Sequence, residues 1–175
     1  MEIVDYNTTT GWAYAVNGVT GNLTAIAIKD MKSSEKTDLL DGNDIDVKSM
    51  VEENCAGFVY GDMTSVAVSE DGSKLAVAIQ AENYADTGRV ALFTCNADGT
   101  LTFDKVYETG VQPDMVTFAS NDSKILTADE GEPRDGYGDG IIDPKGTVTI
   151  INLADQTVSQ VDFTSYDNSD SGNNS

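Results

Sequence analysis

The chain carries one pattern twice, 50 residues apart. SVAVSEDGSKLAVA at residues 65–78 aligns without a gap on MVTFASNDSKILTA at residues 115–128. Each copy reads as an alternating strand, a polar turn, and a lysine that opens a second apolar strand. Val66/Val116, Ser73/Ser123, Lys74/Lys124 and Ala78/Ala128 are identical. An apolar–turn–apolar pattern alone fits any hairpin, but the downstream halves match as well. GRVALF at 88–93 resembles GTVTII at 146–151, and each is followed by an Ala/Asp turn and another strand. Self-similarity at about 20–50 residues is the signature of solenoids, propellers and arrays. Four strands per unit in a fixed order make the blade of a β-propeller. The expected fold is all-β: about three consecutive four-stranded antiparallel units, set as neighbouring blades in an incomplete ring.

Alternation and turn residues place the strands. A first unit, about residues 2–60, has strands over 2–6, 12–18 and 23–28 and then a less regular stretch. In that stretch Asp41 to Asp44 read as a turn cluster, and Val47, Met50 and Val51 recur at helical spacing behind Asp44 or Asp46 as N-cap. That spacing predicts a short helix over 46–53. The second unit, residues 63–107, has strands over 64–69, 74–80, 88–94 and 101–107. The third, residues 113–163, has strands over 114–119, 124–128, 146–152 and 157–163. β-Branched and aromatic side chains dominate these runs, as a pleated half-buried surface favours. Residues 1–165 are thus expected to form a partial propeller, and the Asp/Ser/Asn/Gly-rich stretch 166–175 a disordered polar tail. Closed propellers need about 4–8 blades, and an open set of three exposes strand edges and blade faces. The chain therefore reads as a piece of a larger protein, with its remaining blades as partners.

Composition removes whole classes of chemistry. There are 30 acidic and 10 basic residues, a formal charge of −20, and no histidine. That field repels phosphate backbones and anionic lipid, so no nucleic-acid partner is expected. Without histidine, Ser-His-Asp and Cys-His catalysis and histidine metal sites are excluded from this segment. No stretch approaches the ~18 apolar residues of a membrane span, so no membrane insertion is expected in this segment. The opening MEIVDY lacks the basic and apolar regions of a secretory signal and looks like the middle of a strand. Cys55 and Cys95 give neither a disulfide framework nor CxxC chemistry; two half-buried thiols and a single disulfide both fit.

The stretch GVQPDMVTF at 110–118, followed by KILTADEGEP at 124–133, resembles the choice-of-anchor I family. Members are large secreted or surface-attached bacterial proteins with YVTN/LVIVD-like propeller repeats. The family signature, lPDMvtFspDgkkilvAnEGEP, precedes an acidic loop and a GtvsiIdl strand, which stands here as GTVTIINL at 146–153. Residues 65–68 with 75–82 match the preceding blade, and residues 162–164 the stretch after the signature. The resemblance covers about residues 2–165, with Asp129 to Pro133 its most specific element. Two departures stand out: residues 31–60 run longer than the pattern, and the chain stops where the family continues with further blades. The resemblance implies a scaffold and a secreted or cell-envelope location more than a reaction. Some members carry alkaline-phosphatase-like names, but no catalytic set maps onto these positions.

One constellation carries chemistry. Between the second and third strands of the third unit, residues 129–144 hold six carboxylates and four glycines, where the second unit has a shorter and less charged link. Calcium takes six to eight oxygens, and glycines let the backbone curl around it. Glu130, Glu132, Asp135, Asp139 and Asp143 are the candidate calcium ligands. Their spacing is not that of an EF-hand, and a solvated, salt-bridged loop with Arg134 and Lys145 as counter-charges is the favoured reading, with calcium second. Oxygen-only donors argue against zinc and copper. Trp12 and Tyr14 share one face of a strand and read as blade packing. Gln112, Pro113 and Asp114 read as the turn that leads into an inner strand, with Asp114 a second candidate for a channel ligand.

These features point to a non-enzymatic binding or interaction scaffold for a protein or carbohydrate ligand. The competing reading is a calcium-dependent hydrolase of the phosphoesterase type. That chemistry needs clustered Lys and Arg beside the metals, whereas the basic residues here are dispersed, with no pair closer than Lys29 and Lys32.

Overall fold

Alternating apolar and polar residues put one side of a strand into a core and leave the other for a neighbour. A computed structural model of the chain describes residues 3–28, 43–136 and 140–165. Their strands fall into three four-stranded antiparallel sheets, each a meander in sequence order. The first holds β1 (Val4–Asn7), β2 (Trp12–Asn17), β3 (Asn22–Ala27) and β4 (Asn43–Asp46), and a short helix, α1 (Val47–Asn54), follows it. The second holds β5 (Tyr60–Val68), β6 (Lys74–Ala81), β7 (Thr87–Cys95) and β8 (Leu101–Val111). The third holds β9 (Pro113–Ala119), β10 (Lys124–Asp129), β11 (Thr147–Asn152) and β12 (Thr157–Asp162).

The repeat is one of structure as well as sequence. The pairs Val66/Val77 and Ala67/Ala76 recur 50 residues on as Val116/Thr127 and Thr117/Leu126. Successive sheets stack face to face, and β5 packs against both β1 and β9, so the first strands of the three units line one side. This is the inner-strand arrangement of propeller blades. Val66, Leu75, Val77, Ile79 and Phe93 on one face of the second sheet pack with Tyr14, Val16, Leu23 and Ala25 of the first. Its other face presents Ala67, Ala76, Ala78, Val90, Leu92 and Tyr107 to Val116, Ile125 and Ile151 of the third. Small alanines thus receive branched side chains, and each fully buried Leu or Ile contributes about 1.5–3 kcal/mol. Side chains also bond the inner strands across the gaps. Asp5 Oδ2 accepts the Val68 amide at 2.7 Å, and Ser65 Oγ accepts the Val116 amide at 3.2 Å.

The expected helix forms at Val47–Asn54, capped by Asp46, whose carboxylate accepts the Ser49 amide at 2.9 Å and the Ser49 hydroxyl at 2.7 Å. Three strand boundaries differ most from expectation, one of them that of β5, which opens at Tyr60 rather than at residue 64. Asn43 and Asp44, read as part of a turn, open β4, where Ile45 pairs with Leu23 and enters the core; Asp41 and Gly42 lie outside the described residues. Strand β8 runs on to Val111 because its end is held by the third sheet, as described below. The stretch 166–175, expected as a tail, lies outside the described residues. Cys55 and Cys95 are both free thiols.

Candidate functional site

In an antiparallel meander successive links alternate between two ends. One end of the stack carries the links between second and third strands, at 18–21, 82–86 and 130–146, together with the turn at Gln112 that joins β8 to β9. The acidic loop belongs to this end.

The loop is rooted in a buried carboxylate. Period two along β10 turns Ile125, Thr127 and Asp129 toward the second sheet, and a register shift after Ala128 marks a bulge at Asp129. Asp129 is 3% exposed. Its Oδ1 accepts the Thr127 hydroxyl at 2.7 Å, and its Oδ2 accepts the hydroxyls of Thr147 at 2.8 Å and Thr149 at 2.6 Å and the Gly110 amide at 3.2 Å. Four donors thus satisfy it, with no cationic partner among the described residues, as a buried carboxylate requires. Position 110 must be glycine, since a Cβ there would lie 2.2 Å from Thr147 Oγ1 and 2.6 Å from Asp129 Oδ2.

Gln112 clamps the next residues. Its side chain, 2% exposed, donates from Nε2 to the carbonyls of Tyr84 at 3.0 Å and Glu132 at 2.7 Å, and accepts the Glu132 amide at 3.2 Å. Its own carbonyl accepts the Glu130 amide at 2.9 Å. Its backbone sits at φ 56°, left-handed for a non-glycine residue, and the hydrogen bonds hold it there. Gln112 therefore joins the second-sheet link at Tyr84 to the acidic loop of the third. At the neck, a Cβ on Gly131 would lie 2.4 Å from the Lys145 carbonyl carbon.

The candidate ligands are spread along the loop. Glu130, Glu132, Asp135 and Asp143 are exposed, and Asp139 lies outside the described residues. Among the described residues no group of three or more His, Cys, Asp or Glu side chains converges to hold a metal ion. The Tyr84 hydroxyl donates to Asp135 Oδ2 at 3.0 Å, and desolvation, then the Asp135 carboxylate, raises the phenol above its ordinary pKa. Arg134 Nε lies 3.9 Å from Glu132 Oε2, while Lys145 reaches Asp162 at 3.7 Å, beyond the loop.

Two adjoining clefts open on this end. One, of about 420 Å³, is lined by Phe58, Val59, Glu82, Asp86 and Arg89; the other, of about 380 Å³, by Tyr60, Asp62, Glu82, Tyr84 and Arg134. The Arg89 guanidinium stacks 4.7 Å from the Phe58 ring centre, bonds the Thr87 and Gly88 carbonyls, and lies 3.4 Å from Glu108. The cations at the clefts are therefore each set against a carboxylate. Sequence reasoning pointed to the acidic loop but missed Asp129 and Gln112 as its supports, and it missed the clefts. A signal was available for Asp129: the alternation Ile125–Thr127–Asp129 aims a carboxylate inward. Asp114 is exposed on β9.

A family model described as the choice-of-anchor I domain matches residues 2–174. Solved structures share the fold at low identity. A putative 6-phosphogluconolactonase from Bacteroides fragilis aligns with TM-score 0.56 and 16% identity over 91% of this chain and 38% of its own. A second putative 6-phosphogluconolactonase, from Bacteroides uniformis, gives 0.57 and 15% over 91% and 39%. Hydrazine synthase from Kuenenia stuttgartiensis gives 0.58 and 12% over 92% and 36%. The chain thus spans less than two-fifths of the length of these structures. No curated protein matches it significantly.

Proposed function

The chain belongs to the choice-of-anchor I domain family, and from that membership we propose that it is a non-enzymatic binding scaffold of a bacterial surface protein. The family places it among surface or secreted proteins, and the three stacked sheets make it a propeller-like domain. The ligand of this reading is a carbohydrate or a protein segment, held at the end that carries the acidic loop. The observation that carries the proposal is the pair of clefts around Glu82, which set the half-buried Tyr84 ring beside the carboxylates of Asp62, Glu82 and Asp86. Aromatic faces with adjacent hydrogen-bond acceptors suit hydroxyl-rich or polar ligands.

The phosphoesterase alternative draws less support. It needs unpaired cations converging where phosphoryl charge develops, whereas Arg89 lies against Glu108 and Phe58, and Arg134 against Glu132. Phosphomonoesterase and phosphodiesterase assays, with and without calcium, separate the two. This reading expects no turnover; robust turnover abolished by Glu132→Gln or Asp135→Asn overturns it.

Calcium is the second part of the proposal. Bound by Glu130, Glu132, Asp135, Asp139 and Asp143, it orders the outer loop rather than driving a reaction. Support comes from the density of oxygen donors and glycines. The dispersed positions of the described carboxylates mean that the ion has to gather them.

A further inference from the structure

The cleft that contains Tyr84 is built by two units. Tyr60, Asp62, Glu82 and Tyr84 belong to the second, and Arg134 reaches in from the acidic loop of the third. The carboxylates of Asp62 and Glu82 can only accept hydrogen bonds, and the Tyr60 hydroxyl is bound to the Gly18 carbonyl at 2.9 Å. The Tyr84 hydroxyl and the Arg134 guanidinium are therefore the donors that a ligand would meet between these carboxylates. Both are already held by carboxylates of the loop itself. The Tyr84 hydroxyl donates to Asp135 Oδ2 at 3.0 Å, and Arg134 Nε lies 3.9 Å from Glu132 Oε2.

The loop is fixed below these contacts and open above them. Gln112 binds the amide and the carbonyl of Glu132 at 3.2 and 2.7 Å, and its Nε2 also holds the Tyr84 carbonyl at 3.0 Å. One buried side chain thus sets the separation between Tyr84 and the root of the loop, and residues 133–135 bridge it to the phenol. Beyond them, Gly136 has φ 88° and a Cβ there would meet nothing within 4 Å. Asp135 is exposed, so water competes for its hydrogen bond, and the contact can open without disturbing the base.

We propose that residues 132–135 form an autoinhibitory strap: Asp135 takes the place of a ligand acceptor at the Tyr84 hydroxyl, and a ligand enters this cleft by displacing it. The inference rests on the cleft reading of the function given above and adds its regulation. An acceptor tethered beside its donor competes at high effective concentration with a ligand hydroxyl that arrives from solution. With the strap closed in about 70–90% of molecules, apparent affinity falls about three- to tenfold below that of the open cleft.

An array of neutral, acidic and amino-sugar oligosaccharides, probed in EGTA so that calcium plays no part, tests this, with affinities of the bound members taken by calorimetry. Asp135→Ala should bind the same oligosaccharides as wild type about three- to tenfold more tightly. Glu70→Ala, which removes the same charge at the opposite end of the stack, should bind as wild type does. Tyr84→Phe keeps the ring and removes the hydroxyl, so adding Asp135→Ala to it should bring no further gain. That non-additivity separates a strap acting through the phenol from a general loss of charge. A gain that persists in the Tyr84→Phe background overturns the strap. So does unchanged or weaker binding by Asp135→Ala where wild type binds, which leaves the cleft reading standing. Binding by neither wild type nor Asp135→Ala overturns the cleft reading and the strap with it.

Discussion

The Gly110 amide donates to Asp129 Oδ2 at 3.2 Å, joining the last strand of the second sheet to the buried carboxylate of the third. The two residues cannot be changed independently. Asp129 needs the amide and three threonine hydroxyls to stay buried, and the amide comes close enough only because residue 110 has no side chain.

Asp129→Ala should therefore be severe. It strands three hydroxyl donors in a buried site, while the Gly110 amide keeps the Thr149 hydroxyl oxygen at 3.0 Å, and each unsatisfied buried group costs about 1–3 kcal/mol. With partial relaxation, urea unfolding should show a loss of about 3–5 kcal/mol with the m-value retained. A loss below about 0.5 kcal/mol contradicts the role given to this carboxylate.

Gly110→Ala should rank with it, whereas Gly136→Ala should be mild. A Cβ at 110 meets Thr147 and Asp129 at 2.2 and 2.6 Å, while one at Gly136 meets nothing within 4 Å. Gly136 has φ 88°, so its variant carries only the backbone strain of about 1 kcal/mol. Thermal midpoints of the two variants test the ordering.

Most of this architecture was legible in the sequence; the joint was not. Period-two runs at 65–68 and 75–78 and their copies 50 residues on gave the strands, and Asp46 ahead of Val47, Met50 and Val51 gave the helix. β4 was obscured because Asn43, Asp44 and Asp46 are turn formers, and Ile45 earns its strand only from Leu23, far along the chain. Gln112 was read as a local turn residue because its partners, Tyr84 and Glu132, lie 28 and 20 residues away. Local chemistry marks a turn; only tertiary pairing marks a clamp.

Gln112→Ala should loosen the acidic loop while keeping the sheets. It removes the donor shared by the Tyr84 and Glu132 carbonyls and leaves the left-handed backbone unsupported. Hydrogen exchange should accelerate at the amides of Glu130 and Glu132 and stay unchanged in β6 and β7. Uniform acceleration throughout the second sheet contradicts a local clamp.

Two titrations carry opposite signs. The Ser49 amide and hydroxyl hold the Asp46 carboxylate below its ordinary 3.8, so the cap contributes fully above that value. Its contribution is lost as pH falls below 3.8 through the lower folded value. Asp46→Ala should cost about 1 kcal/mol at pH 7 and make stability fall less steeply below pH 4. Burial pushes the Cys95 thiol up to about 11. In a Cys55→Ser background, Cys95 should react slowly with disulfide reagents at pH 8 and rapidly once unfolded. Fast native labelling at pH 8 contradicts that burial.

Calcium titration by calorimetry addresses the outer loop. Extracellular modules bind calcium with Kd of about 10⁻⁴–10⁻³ M, so heat and a raised melting midpoint are expected at millimolar calcium. Asp135→Asn combined with Asp139→Asn should abolish both. No heat at 10 mM leaves the outer loop solvated, held at its base by Gln112 and at Asp135 by the Tyr84 hydroxyl.

Binding to an oligosaccharide array tests the proposed function most directly, using the wild type, Tyr84→Ala at the cleft end, and Glu70→Gln at the opposite end of the stack. The account predicts that wild type and Glu70→Gln retain the same oligosaccharides while Tyr84→Ala loses them by tenfold or more. Binding that Tyr84→Ala keeps and Glu70→Gln loses would contradict it.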